Sequence, residues 1–225
     1  YFSALTEALK LLDFESGDDA ARRSVKDAAA LLRSRLSEVR WHSPVTIALT
    51  GCSHIDVAWL WTLDETVRKC GRTFSNVLDL MERYSEHIFS QSQPCLYDYT
   101  KAHYPELFEK IRARVAEGHW ELVGNPWVEC DTNIPSGEAL VRQFLYGRAF
   151  YLREFGRCSN IFWMPDVFGY SYAIPQIMKR SGVDYFITTK LICNDTNTFP
   201  YTYFHWQGVD GTRVFAHLSR ENYNG

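Results

Sequence analysis

The sequence has no CxxC pair among its six cysteines, Cys52, Cys70, Cys95, Cys130, Cys158 and Cys193. That removes zinc ribbons and dithiol redox motifs. The even spacing points instead to reduced, mostly buried thiols in a reducing compartment. No apolar run approaches the roughly 20 residues that span a bilayer. GxSxG, Walker A, GxGxxG and HExxH sequences are all missing, which argues against serine hydrolases, P-loop enzymes, Rossmann oxidoreductases and zincins. Strong charge of either sign is lacking too: 24 basic residues face 27 acidic ones, a net of −3. No global field therefore draws in nucleic acid or an anionic membrane. No internal repeat and no low-complexity tract interrupts the 225 residues.

What is abundant is aromatic. Seven Trp, 13 Tyr and 14 Phe make up 15% of the chain, within an otherwise average 46% hydrophobic and 23% charged composition. The length suits one large domain or two small ones. The chain opens on Tyr1 rather than Met and ends in the polar run RENYNG, so the lack of a visible leader decides nothing about targeting.

Residues 18–40 carry apolar positions Val25, Ala28, Ala29, Leu32 and Leu36 at helical spacing, which predicts a helix there after a loop at DFESGDD, within a helical lead-in over 1–40. From 41 to 225 an alternation sets in. Strands are predicted at 45–51, 87–93, 119–124, 160–164 and 184–189, and helices at 63–84, 105–118, 136–156 and 174–182. Pro105 and Gly118 bracket one helix, and Ser136 and Gly156 another. YTYFHW and RVFAHL are two further β-like runs around the turn GVDG. The pattern predicts an α/β fold of βα units forming a parallel sheet or barrel-like domain.

In such folds ligands bind beyond the carboxyl ends of the strands. Four predicted exits read CSHIDVAWLW, NPWVECD, PDVFGYSY and KLICND. Each carries a charged residue, and three add Trp, Phe or Tyr. Turns alone do not require that combination.

His54 and Asp56 stand two apart, so in extended backbone they point to the same side, and both are good ligands for Zn²⁺. On the motif alone, a hydrogen-bonded His at a polar strand end is the plainer reading. Its place directly after a strand moves the balance toward a metal. Asp166, amid Trp163, Phe168, Tyr170 and Tyr172, is costly to desolvate unless a cation pairs with it, and it would supply a third ligand. It would equally serve as a turn aspartate after Pro165. Glu129 and Asp131 offer a second carboxylate group in the same cleft, or a solvated loop with Asp131 closing an Asx turn. Lys190 could balance the negative charge or cap a strand end. Trp59, Trp61, Trp127, Phe168 and Tyr170 lie near strand exits, where flat rings could pack on the apolar faces of sugars. The usual fate of such residues is the core, with Trp59, three residues after Asp56, the expected exception.

Taken together, HIDVAWLW (54–61), GNPWVECDTNIPSGEALVRQFLYGRAFYLREFG (124–156), FWMPDVFGYSYAIPQIMKRSGVDYF (162–186), TTKL, FPYTYFHWQGVDG and RVFAHL resemble glycoside hydrolase family 38, the α-mannosidases. The PSGE and PDVFGYS wording resembles the branch of cytosolic and many bacterial members. The resemblance implies a retaining, metal-dependent mannosidase that removes terminal α-mannosyl residues from oligosaccharides through a covalent mannosyl-enzyme. It implies His54, Asp56 and Asp166 as ligands of one zinc ion, with Co²⁺ or Mn²⁺ also suited to such donors. Asp166 doubles as the nucleophile, and Trp59, Phe168 and Lys190 line the sugar subsite, with Trp127, Glu129 and Asp131 further candidates there. The fourth ligand, a histidine, and the acid/base aspartate are expected beyond Gly225, as are the family's β-rich domains. On this reading the chain is the N-terminal portion of a cytoplasmic enzyme acting on α-mannose-containing glycans, with no nucleic-acid or membrane partner. The oligomeric state is open, a homo-oligomer included. Two rivals stand beside it: a metal-dependent sugar de-N-acetylase, and an inactive carbohydrate-binding fragment.

Overall fold

A computed structural model describes residues 2–37 and 46–219. The chain divides into two compact units, Tyr1–Ala48 and Leu49–Gly225. The expected boundary at residues 40 and 41, His42 and the terminal RENYNG lie outside the described residues.

The first unit is a helical pair, α1 (Phe2–Leu9) and α2 (Asp18–Ser37). The intervening loop is held by Asp13, whose Oδ1 accepts from the N–H groups of Glu15 and Ser16. Asp18 and Asp19 occupy the first turn of α2, where acidic groups complement the helix dipole. The sequence predicts α2 but not α1.

The second unit alternates strand and helix. Its elements are β1 (Gly51–Cys52), α3 (Leu63–Arg83), β2 (Phe89–Gln91), α4 (Pro94–His103), α5 (Pro105–Glu117), β3 (Trp120–Leu122) and α6 (Gly137–Phe155). β4 (Ile161–Met164), α7 (Ile174–Arg180), β5 (Tyr185–Thr188), β6 (Tyr203–Gln207) and β7 (Arg213–Leu218) follow. β1, β2 and β3 form one parallel sheet in that order. A second sheet runs β4-β5-β7-β6, parallel except for the antiparallel β6–β7 hairpin. Where β3 ends beside β4, the Asn125 side-chain amide donates to the carbonyl of Ile161 at 2.9 Å.

The helices form where the sequence signals them. Ser136 caps α6 by accepting from the Ala139 N–H, and Gly156 ends it in the left-handed region that glycine enters without a Cβ penalty. On α3, Thr66, Cys70, Phe74, Val77, Leu78 and Met81 recur at helical spacing and are buried. All but Thr66 pack in a first core with Phe89, Tyr97, Phe108, Trp120 and Tyr151. A second core joins Leu140 and Phe144 of α6 to Phe162, Met164, Ile174, Met178, Phe186 and Val214. Many of the aromatic residues pack here, in edge-on ring contacts such as Phe74–Trp120 and Phe144–Phe162.

Three expectations change. Among its described residues the predicted strand 45–51 is ladder-bonded only at Gly51, where β1 pairs with Phe89 and Ser90, and Ile47 and Leu49 are exposed. Helix α4 falls in a stretch with no predicted element. The thiols are not mostly buried: Cys70 and Cys95 are, Cys130 and Cys158 are half-buried, and Cys52 and Cys193 are exposed. All six are free.

Candidate active site

The five parallel strands β1 to β5 end on one side, and their exits build a single polar cluster. After β1, Ile55 turns into the first core, so its neighbours His54 and Asp56 turn the other way. The backbone there is fixed twice. Gln93 Nε2 donates to the Ile55 carbonyl at 2.8 Å, and Thr66 Oγ1 donates to the Asp56 carbonyl at 3.0 Å. Trp61 Nε1 in turn donates to Thr66 Oγ1. After β4, Tyr170 reaches back to donate to the Val167 carbonyl and meets Thr188 Oγ1, while Thr132 Oγ1 donates to the Gly169 carbonyl. These bonds shape the loop that carries Asp166.

One nitrogen of His54, Nε2, lies 3.1 Å from Asp56 Oδ1 and 3.5 Å from Asp166 Oδ2. The other, Nδ1, lies 3.1 Å from Glu129 Oε2. Glu129 Oε1 accepts the Asp166 backbone N–H at 2.6 Å. Lys190, directly beyond β5, brings Nζ to 2.9 Å from Asp166 Oδ1, and the same ammonium stands 5.3 Å from the ring centre of Phe168. His54, Asp56, Gln93, Glu129 and Asp166 line a cavity of about 120 Å³, room for an ion and a few water molecules. Burial pushes the Glu129 carboxyl up to about 8. The Asp166 N–H opposes that rise, the charges of Asp166 and Asp56 add to it, and Lys190 draws it back.

The donor set suits a divalent cation. One ligand atom each from His54, Asp56 and Asp166 lie within 4.8 Å of one another. Three carboxyl groups crowd one imidazole and one ammonium, and the charges of Asp166 and Asp56 help to hold the Glu129 carboxyl above its ordinary range, so the cluster is short of positive charge. A bound cation would supply it.

Trp59 and Phe168 are 67% and 72% exposed; each directly follows a residue that lines the cavity, Ala58 and Val167. Trp59 meets Trp61 edge-on at 5.7 Å. The remaining expected contacts fall differently. Trp127 is packed against the first core, edge-on to Phe150 at 5.7 Å. Asp131 Oδ1 accepts the N–H groups of Asn133 and Ile134, the Asx turn, and is not brought to the cluster. Glu129 joins the cluster from behind, with its side chain 6% exposed. Gln93 is the participant that sequence reasoning misses. It follows β2, so the strand-exit rule that singles out the other four loops points to it as well.

The family model described as "Glycosyl hydrolases family 38 N-terminal domain" matches residues 44–225. Over 201 residues the chain is 46% identical to alpha-mannosidase 2C1 of Homo sapiens, covering 89% of this chain and 19% of that protein. Over 173 residues it is 44% identical to the alpha-mannosidase of Saccharomyces cerevisiae, covering 76% of this chain and 16% of that one. It thus spans about a fifth of the length of the curated relatives it matches. Among solved structures, an alpha-mannosidase from Enterococcus faecalis shares the fold with a TM-score of 0.67 and 24% identity, over 75% of this chain and 19% of that chain. The matched span takes in every strand exit that builds the cluster, and the chain belongs to glycoside hydrolase family 38.

Proposed function

We propose that this chain carries the nucleophile and the metal-binding half of a retaining α-mannosidase that removes terminal α-mannosyl residues from glycans. The observation that carries the reading is Asp166 itself. One of its oxygens faces His54 beside Asp56 and the other faces Lys190, whose ammonium stands against the exposed ring of Phe168.

His54, Asp56 and Asp166 would hold one divalent cation, and imidazole with carboxylates favours Zn²⁺ while admitting Co²⁺ or Mn²⁺. Such a cation, when bound, acts as a Lewis acid that binds and orients sugar hydroxyls. Trp59 offers a flat face to the apolar side of the mannose ring, and Phe168 flanks it. The Asp166 carboxylate attacks the anomeric carbon, the glycosidic C–O bond breaks, and a second carboxyl group gives a proton to the departing oxygen. Water then cleaves the aspartyl ester, and Asp166 recovers its charge beside Lys190.

The relatives' names support the substrate class: alpha-mannosidase 2C1 and yeast alpha-mannosidase are 46% and 44% identical. We place the protein in the cytoplasm, where its six free thiols remain reduced. Among the described residues no helix is long and apolar enough to cross a membrane.

The deciding experiment is Asp166→Asn in the intact protein, assayed on an aryl α-mannoside. Turnover is expected to fall to near zero with the melting temperature kept. Substantial remaining turnover would remove Asp166 as nucleophile. Release of acetate from N-acetylated sugars in place of mannose would overturn the mannosidase reading.

A further inference from the structure

The two nitrogens of His54 have different neighbours. Nε2 faces the carboxylates of Asp56 and Asp166, and Nδ1 faces Glu129 Oε2 at 3.1 Å. A cation on the Nε2 side would favour the ionised form of Glu129, which would then take the ring proton at Nδ1 and leave the Nε2 lone pair to the cation. The same carboxylate grips the other arm of the donor group, because Glu129 Oε1 accepts the Asp166 N–H at 2.6 Å. Glu129 is itself anchored. Its N–H donates to Gln93 Oε1 at 3.0 Å, and Gln93 Nε2 donates to the Ile55 carbonyl at 2.8 Å, between His54 and Asp56. A closed circuit therefore runs from the 54–56 segment through Gln93 and Glu129 to Asp166 and back to His54.

We infer that Glu129 is a positioning residue: it sets the tautomer of His54 and the placement of Asp166, so that both present their donor atoms to one cation. This rests on the metal-binding reading above. It assigns Glu129 a place behind the ligands rather than on the sugar, in keeping with a side chain that is 6% exposed.

The test is Glu129→Gln in the intact protein, with Zn²⁺ as the probe. The amide is isosteric, and the Asp166 N–H fixes which way round it sits. Its oxygen takes the place of Oε1, and its NH₂ then faces His54 Nδ1. That forces Nδ1 to accept and moves the ring proton to Nε2, where the cation should bind. Zn²⁺ affinity, measured by competition with a chromophoric chelator, is expected to fall about 10–100-fold. The ¹⁵N shifts of His54 in the zinc-loaded wild type should report a protonated Nδ1. Metal-free melting temperatures should match. Glu129→Asp keeps a carboxylate on a shorter arm and should bind Zn²⁺ between the two. It should also keep Nδ1 protonated, so it carries the comparison if the glutamine variant fails to fold. Wild-type affinity in Glu129→Gln, or a wild-type His54 protonated only on Nε2, overturns the inference and leaves the mannosidase reading standing. Failure of the wild type to bind Zn²⁺ overturns the metal-binding reading and this inference with it.

Discussion

Lys190 Nζ and Asp166 Oδ1 meet at 2.9 Å, although the two residues leave different strands, β5 and β4. Parallel pairing places Met164 opposite Thr188, so each residue lies two positions past a matched ladder pair. The ion pair is thus a product of strand register. With the proposed nucleophile in this pairing, loss of Lys190 should slow the step in which the aspartyl ester breaks and negative charge returns. Lys190→Met is expected to lower turnover of an aryl α-mannoside about 100-fold. Mass spectrometry should find protein carrying one mannosyl unit accumulated. An unchanged turnover number would separate Lys190 from the reaction.

Two tryptophans at strand exits should respond in opposite ways. Trp59 is 67% exposed, so Trp59→Ala should change stability by less than about 0.5 kcal/mol. It should raise KM about tenfold, the equivalent of about 1.4 kcal/mol of binding. Trp127 packs on Phe150 and the first core, so Trp127→Ala should cost about 3 kcal/mol in chemical denaturation. Equal loss of stability in both variants would contradict the division.

Helix α6 approaches the loop that leads to Glu129 at Gly147. A Cβ there would overlap the Asn125 carbonyl oxygen and come within 2.9 Å of the carbonyl carbons of Asn125 and Pro126. These are backbone atoms and cannot swing aside. Gly147→Ala is expected to cost about 3 kcal/mol, at the upper end for overpacking, and to lower the melting temperature by roughly 6–12 °C. A melting temperature within 2 °C of wild type would be inconsistent with that approach.

Acid should loosen the link between α4 and α6. Burial alone would raise the Glu154 carboxyl. Hydrogen bonds from Lys101 and Arg153, each at 2.8 Å, outweigh it and hold the carboxyl below the ordinary 4.5. A depressed folded-state value adds stability above the unfolded value, and that stability disappears as pH falls through the folded one. Urea midpoints measured from pH 6 downward should therefore fall more steeply below about pH 4.5 in wild type than in Glu154→Gln. Parallel curves would rule the link out.

Much of the fold is legible because its punctuation is strong. Ser136 and Gly156 bound α6, and Pro105 and Gly118 bound α5. Helix α4 escapes because PCLYDYTKAH buries Cys95, Leu96, Tyr97 and Thr100, a set that mixes apolar with polar side chains. In the site, charge and spacing disclose His54, Asp56, Asp166 and Lys190. Gln93 stays hidden because its importance lies in two backbone partners, at 55 and 129, that sequence order keeps apart. Trp59 is set apart in sequence by its place three residues after Asp56, whereas nothing beside Trp127 says that its ring turns inward.

The join at Asn125 has a mechanical consequence. Ladder bonds recur along a pair of strands and resist sliding along their whole length. Among the described residues no ladder links β3 to β4; side chains span the gap instead, the Asn125 amide donating to the Ile161 carbonyl and Arg148 Nη1 donating to both Asn125 Oδ1 and the Ser159 carbonyl. Glu129 departs from one sheet and Asp166 from the other, so the clamp around His54 straddles this seam. Any shift of one sheet against the other would therefore change the Glu129–Asp166 spacing directly, and with it the place of Asp166 against His54.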